Sequence, residues 1–200
     1  MNDIETFNQA LFLQMNAGVG TPSWVINTVV AVAEDLIYLI PVLLLVLWFT
    51  GDKARRSLAL KVCLVAMLGV GLNQVIGLFW QHPRPFMIGL GQTLLPHVDD
   101  SSFPSDHMTV FTGAGLTLLL DGALGLGLAT LAIGLGVAWG RVFLGVHFPL
   151  DMAGAVGVAA CSYLATSPIW KIAGMAVTGF AERLYRTVLA QPIRAGWLRR

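Results

Sequence analysis

Five stretches of this chain, residues 24–49, 58–80, 106–120, 123–141 and 149–166, are largely apolar and are separated by polar segments, the longest being 81–105, rich in Pro, His and Asp. A helix needs about 20 apolar residues to cross the hydrocarbon core of a bilayer, and most of these runs approach that length. Charged residues make up only 12% of the 200 residues. Ordinary soluble domains carry about 25%, so this chain has too few charges to cover a water-facing surface. A soluble globular domain and a disordered tail are excluded. The net charge of +1 supplies no field for DNA or RNA, which excludes a nucleic-acid partner. The expected fold class is all-α: a polytopic membrane helix bundle, forming one membrane-embedded domain over residues 1–200.

The flanks differ from the spans. Residues 4–17 are apolar but too short to cross, and Gly18, Gly20 and Pro22 stop them, so an interfacial helix is expected. Residues 170–190 mix apolar side chains with Lys171, Glu182, Arg183 and Arg186. They read as an amphipathic surface helix, with a sixth span as the alternative. Pro149 suits the first turn of the fifth span. Cys63 and Cys161 lie within apolar runs and read as small core residues rather than a disulfide. The start of the chain carries Asp3 and Glu5 without Lys or Arg, so no signal peptide is read.

The cations set the orientation. Of twelve Lys and Arg, four fall in 53–61 and six in 171–200, on one side if the spans alternate. That side is cytoplasmic by the positive-inside rule. Arg84 and Arg141 fall on the opposite face, together with His82, His97, His107 and His147. A small polar cluster is therefore expected at the outer face of a lipid-adapted protein.

Three segments carry this cluster: HPRPF (82–86), FPSDH (103–107) and GRVFLGVHFPLD (140–151). Arg84 and Arg141 can clamp the oxygens of a phosphate, with permanent charge and a planar donor fork. Ser105 opens a helix, where a hydroxyl and free N–H groups favour an anion. His107 and His147 can divide the roles of nucleophile and acid/base. Asp151 lies four residues after His147, one helical turn away, where it can fix the imidazole tautomer. The set reads as phosphoryl transfer through a phosphohistidine, with no cofactor and no metal required. His82 and His97 taken singly read as loop residues at the interface.

The order RP, then PSxH, then R-x5-H-x3-D resembles the type 2 phosphatidic acid phosphatase superfamily. LLPHVDDSSFPSDH and GRVFLGVHFPLDMAGA are similar to its bacterial undecaprenyl-diphosphatase branch, and the closing LAQPIRAGWLRR resembles enterobacterial members. The resemblance implies a metal-independent lipid phosphatase of the inner membrane, acting at the outer face on a long-chain polyprenyl diphosphate. It implies His147 as nucleophile, Asp151 as its partner and His107 as general acid, with Arg84, Ser105 and Arg141 on the phosphate. Asp106 joins the phosphate-binding segment by position. Its carboxylate suits the helix dipole and is expected to point away from the substrate.

The sequence departs from the superfamily at Gly77, where a Lys is usual seven residues before Arg84; a protonated His82 is the candidate replacement. Glu34 and Asp35 lie within the first span, where an acid is a functional candidate by default. Glu34 is the accessory candidate, positioning water or tuning His107. Asp99 and Asp100 are expected to order the loop before the second motif, and Asp121 to cap the inner turn with Gly122. The catalytic set recognises phosphate and not the lipid tail. Phosphatidylglycerol phosphate, other lipid phosphates and lipid-to-lipid phosphotransfer therefore stay open alongside the diphosphate. A transporter would need a polar path through the third to fifth spans, which they do not offer.

Overall fold

The computed structural model describes residues 3–194, which form helices joined by turns and loops, with no strand among the described residues. The helices are α1 (Asp3–Met15), α2 (Ser23–Asp35), α3 (Leu39–Thr50), α4 (Lys53–Phe79), α5 (Asp106–Leu120), α6 (Leu124–Phe143), α7 (Pro149–Val188) and α8 (Ala190–Arg194). A 3-10 turn, Leu36–Tyr38, links α2 to α3, so that Ser23–Thr50 is one long apolar rod. This rod, α4, α6 and α7 are long and apolar enough to cross a membrane. The closing residues 195–200, which carry much of the C-terminal resemblance, lie outside the described residues.

The third expected span is the shortest. Helix α5 has 15 residues, about 22 Å of rise, and is enclosed by α4, α6 and α7. Its partners approach closely because glycine permits it. A Cβ at Gly127 of α6 would lie 2.5 Å from the backbone of Leu119, and one at Gly134 would lie 2.6 Å from Phe111 Cβ. Small residues serve this purpose in lipid, where close packing drives helix association. The core beneath the site joins Ile40, Leu47, Ala59, Val62, Phe111, Ala114, Leu118 and Val137. Cys161 does not join a core: it faces outward from α7, and both cysteines are free.

Helix α4 begins at Lys53 rather than at the first apolar residue, because Asp52 caps it by accepting from the Arg55 N–H at 3.0 Å. The basic stretch is thus helical, and two of its cations are buried in ion pairs. Arg56 meets Glu182 at 3.2 Å, and Lys61 meets Asp121. Asp121 also accepts from the Tyr163 hydroxyl, so it ties α5 to α4 and α7 rather than only capping the turn.

Helix α7 also departs from expectation. It runs without a break through Pro168, where an end near residue 166 was expected. A proline removes one helical N–H, a loss that membrane helices tolerate. Two adjacent α4 residues mark its course: Ser57 accepts from Trp170, while Arg56 pairs with Glu182. Those α7 positions are twelve residues apart, about 18 Å of rise. The lower part of α7 therefore passes across the end of α4. In that part Gly174, Thr178, Glu182 and Tyr185 are buried, while Lys171, Arg183 and Arg186 are exposed beside Ile172, Met175 and Phe180, so its outer face is mixed rather than polar.

Helix α1 is the expected short N-terminal helix, but it is docked rather than free. Phe12 is fully buried, its ring 5.3 Å from that of Phe148. Asn8 accepts from the Leu150 N–H at 3.1 Å, and Asn16 bonds Phe143 and Gln92. Its opposite face exposes Ile4, Phe7 and Leu13.

Candidate active site

Arg84 sits between Pro83 and Pro85, which hold it extended (φ −76°, ψ 157°) at the head of a 3-10 turn, Pro85–Ile88. Its guanidinium is buried and engaged at all three nitrogens. Nε donates to Asp100 Oδ1 at 2.7 Å, Nη1 to the Val146 carbonyl at 2.8 Å, and Nη2 to the Ser101 carbonyl at 3.3 Å. Nη1 also lies 3.2 Å from His147 Nε2.

His147 stands in the loop between α6 and α7. That loop turns at Gly145, whose φ of +84° and close approach to the Gln92 carbonyl leave no room for a side chain. Pro149 then starts α7 and places Asp151 in its first turn. Asp151 Oδ2 accepts from the Phe148 N–H at 2.7 Å, from the Ser102 hydroxyl at 2.5 Å and from His147 Nδ1 at 3.2 Å. The carboxylate thus fixes the proton on Nδ1 and leaves the Nε2 lone pair facing Arg84. Burial lowers the His147 pKa from 6.5 to about 4, with Asp151 opposing and Arg141 and Arg84 adding to the shift. That shift favours the neutral ring at pH 7.

Arg141, near the end of α6, faces it from the other wall. Nη1 donates to Glu34 Oε1 at 2.7 Å and lies 3.4 Å from His107 Nε2, while Nη2 lies 3.0 Å from His97 Nε2. Asn73 and Gln74 of α4 donate to the two oxygens of Asp106 at 2.7 and 3.2 Å. Together these groups surround a cavity of about 480 Å³, lined among others by His82, Arg84, His97, Asp106, His107, Arg141 and His147.

The structure therefore brings together Arg84, Arg141, His107, His147 and Asp151, with Glu34 on Arg141. Ser105 is placed differently. It is buried at the start of α5 and does not line the cavity; its N–H donates to the Asp151 carbonyl at 3.3 Å. Its hydroxyl has no partner among the described residues. Asp106 lines the cavity, but both of its oxygens are held by α4. Gly77 lines the wall with Ser101 beside it, and His82 turns to Glu5, 3.3 Å away. Asp35 makes no contact with the site.

Sequence reasoning missed Asn73 and Ser102, placed His97 in the polar cluster but read it singly as a loop residue, and saw Asp100 only as a loop residue. Asn73 and Gln74 carried a signal, as adjacent amides near the end of an apolar helix. His97 carried one in its place beside two aspartates on the polar face. Ser102 carried none, because its role exists only once the loop folds onto α7.

Comparison with known proteins extends this picture. Residues 58–174 match the model of the PAP2 superfamily. The chain is 35% identical to the "Putative undecaprenyl-diphosphatase YbjG" of Escherichia coli (strain K12), over 98% of this chain and 99% of that protein. It is 31% identical to the undecaprenyl-diphosphatase BcrC of Bacillus subtilis (strain 168), over 66% of this chain and 68% of that one. Among solved structures, Aquifex aeolicus LpxE superposes with a TM-score of 0.66 at 20% identity, covering 81% of this chain and 95% of that one. A PAP2-type phosphatidylglycerolphosphate phosphatase from Bacillus subtilis superposes with 0.63 at 18% identity, covering 86% and 88%. The helical membrane fold, the matched residues and a relative similar along its whole length agree: this chain belongs to the PAP2 superfamily.

Proposed function

We propose that the chain hydrolyses undecaprenyl diphosphate to undecaprenyl phosphate and inorganic phosphate through a phosphohistidine on His147. One observation carries this reading. A buried, neutral histidine is aligned by Asp151 on Nδ1 and presents Nε2 to a cavity between two arginines. Full-length similarity to a relative named for this substrate gives the lipid class.

Nε2 attacks the terminal phosphorus, and the bond to the bridging oxygen breaks. Arg84 and Arg141 hold the equatorial oxygens, where charge is spread in the transition state. Asp151 stabilises the imidazolium that forms. His107, taking up a proton as the anionic head group binds, passes it to the departing phosphate ester, then takes a proton from water as that water attacks the phosphohistidine. Inorganic phosphate leaves and His147 is restored. The polyprenyl tail stays in the bilayer, so only the head group enters the cavity.

The site faces the outside of a bacterial inner membrane and the C-terminus lies in the cytoplasm; the cations of 53–61 and 171–200 support this orientation. Residues 1–200 act as one domain.

The test is phosphate release by detergent-purified protein with excess chelator. Undecaprenyl diphosphate is run beside phosphatidylglycerol phosphate and phosphatidate, with His147→Ala as control. Release that is fastest on the diphosphate, resists chelator and is lost in the variant is expected. Release that needs a metal, or that survives in the variant, overturns the mechanism.

A further inference from the structure

Arg141 is held by two acceptors from different parts of the chain. Glu34, from α2, accepts from Nη1 at 2.7 Å, and His97, from the connection before α5, lies 3.0 Å from Nη2. The guanidinium itself is buried, whereas the Glu34 side chain is 43% exposed at the rim. The His97 ring has a defined orientation: its Nδ1 lies 3.2 Å from the Val98 carbonyl, which only an Nδ1–H can satisfy. Nε2 then carries a lone pair and accepts from Arg141.

The two acceptors consume one N–H on each terminal nitrogen. His107 Nε2, 3.4 Å from Nη1, faces the second hydrogen there, which leaves the Nε–H, unpartnered among the described residues, and one hydrogen on Nη2 for an anion. An arginine fork recognises phosphate by orientation as well as by charge, so fixing its plane lowers the cost of binding. Glu34 lies outside the residues matched by the superfamily model, so part of this clamp comes from α2.

We propose that Glu34 and His97 are positioning residues that jointly orient the Arg141 guanidinium for phosphate. The proposal rests on the reading of the cavity as a phosphate site. Burial, then Arg84, lowers the His97 pKa, which keeps the ring in the accepting form. The charged and titratable groups around it are Arg141, Arg84, Asp100, His107 and His147.

The experiment is binding of inorganic phosphate to the full-length protein in detergent, with kcat and KM on the lipid diphosphate measured in parallel. Glu34→Ala and His97→Ala are each expected to weaken phosphate binding about tenfold, the scale of one hydrogen bond to a charged group, and to raise KM more than they lower kcat. Glu34→Gln and His97→Gln keep an acceptor oxygen and are expected to recover most of the affinity. They also serve if an alanine variant does not fold. In an Arg141→Ala background neither substitution has a further effect, because both act through that arginine. Unchanged affinity in the alanine variants, or a full effect without Arg141, overturns the proposal and leaves the phosphate site standing. No phosphate binding by the unmodified protein overturns the phosphate site and this proposal with it.

Discussion

Arg84 Nη1 lies 3.2 Å from His147 Nε2, so a cation stands against the lone pair that would attack phosphorus. The same Nη1 is anchored on the Val146 carbonyl at 2.8 Å. Substrate must therefore take over an existing donor rather than recruit a new one. Arg84→Lys removes the fork and cannot keep the contacts to Asp100, Val146 and Ser101 at once. A fall in kcat/KM of about 100-fold is expected in steady-state assays, the scale of one charge-assisted clamp. A fall below threefold would show that a point charge suffices.

Asp151→Asn tests the tautomer. The amide can present N–H to Nδ1, which favours the ring form with its proton on Nε2 and removes the nucleophile. A loss of about 10⁴ in kcat is expected, as in other histidine–carboxylate pairs. Phosphohistidine trapped by rapid acid quench should fall in parallel; an intact burst would contradict the role of Asp151.

His147 gives a pH expectation with a defined sign. Its pKa is about 4 in the fold and 6.5 ordinarily, so between these values the unfolded chain holds a proton that the folded chain does not. The stabilisation is complete above pH 6.5 and is lost as pH falls towards 4. Histidine-selective NMR should find the His147 ring neutral at pH 5.5. A ring titrating near 6.5 would falsify the buried environment described for it.

His107→Ala should slow a lipid monophosphate more than the lipid diphosphate. The monophosphate expels an alkoxide, which needs a proton far more than a phosphate ester does. Rates of phosphate release on the two substrates check this, and equal losses would sink the assignment of His107 as the acid.

Much of the site was legible because its chemistry is concentrated in three short segments of a chain otherwise poor in charge. His147 and Asp151 could be paired from helical spacing alone, since Pro149 starts the helix between them. Arg84 and Arg141 stood out as the two cations on the far side from the rest. Long-range partners were not legible. Glu34 meets Arg141 across 107 residues, and Asn73 meets Asp106 across 33, through packing that no local pattern encodes. The end expected near residue 166 failed because Lys171, Glu182, Arg183 and Arg186 read as a separate surface helix, whereas α7 carries them on the same rod. The buried arginine and lysine of α4 read as solvated cations because their partners, Glu182 and Asp121, lie in distant helices.

Helix α5 carries a polar layer at each end: Asp106 and His107 above, Asp121 with Lys61 below. On α4 the same two layers are marked by Gln74 and Lys61, thirteen residues apart, or about 20 Å. Lys61 is buried and α5 is enclosed by α4, α6 and α7, so both layers lie inside the bundle rather than against lipid. Between them stand Val62, Phe111, Ala114 and Leu118, an apolar plug that closes the floor of the cavity to a charged head group.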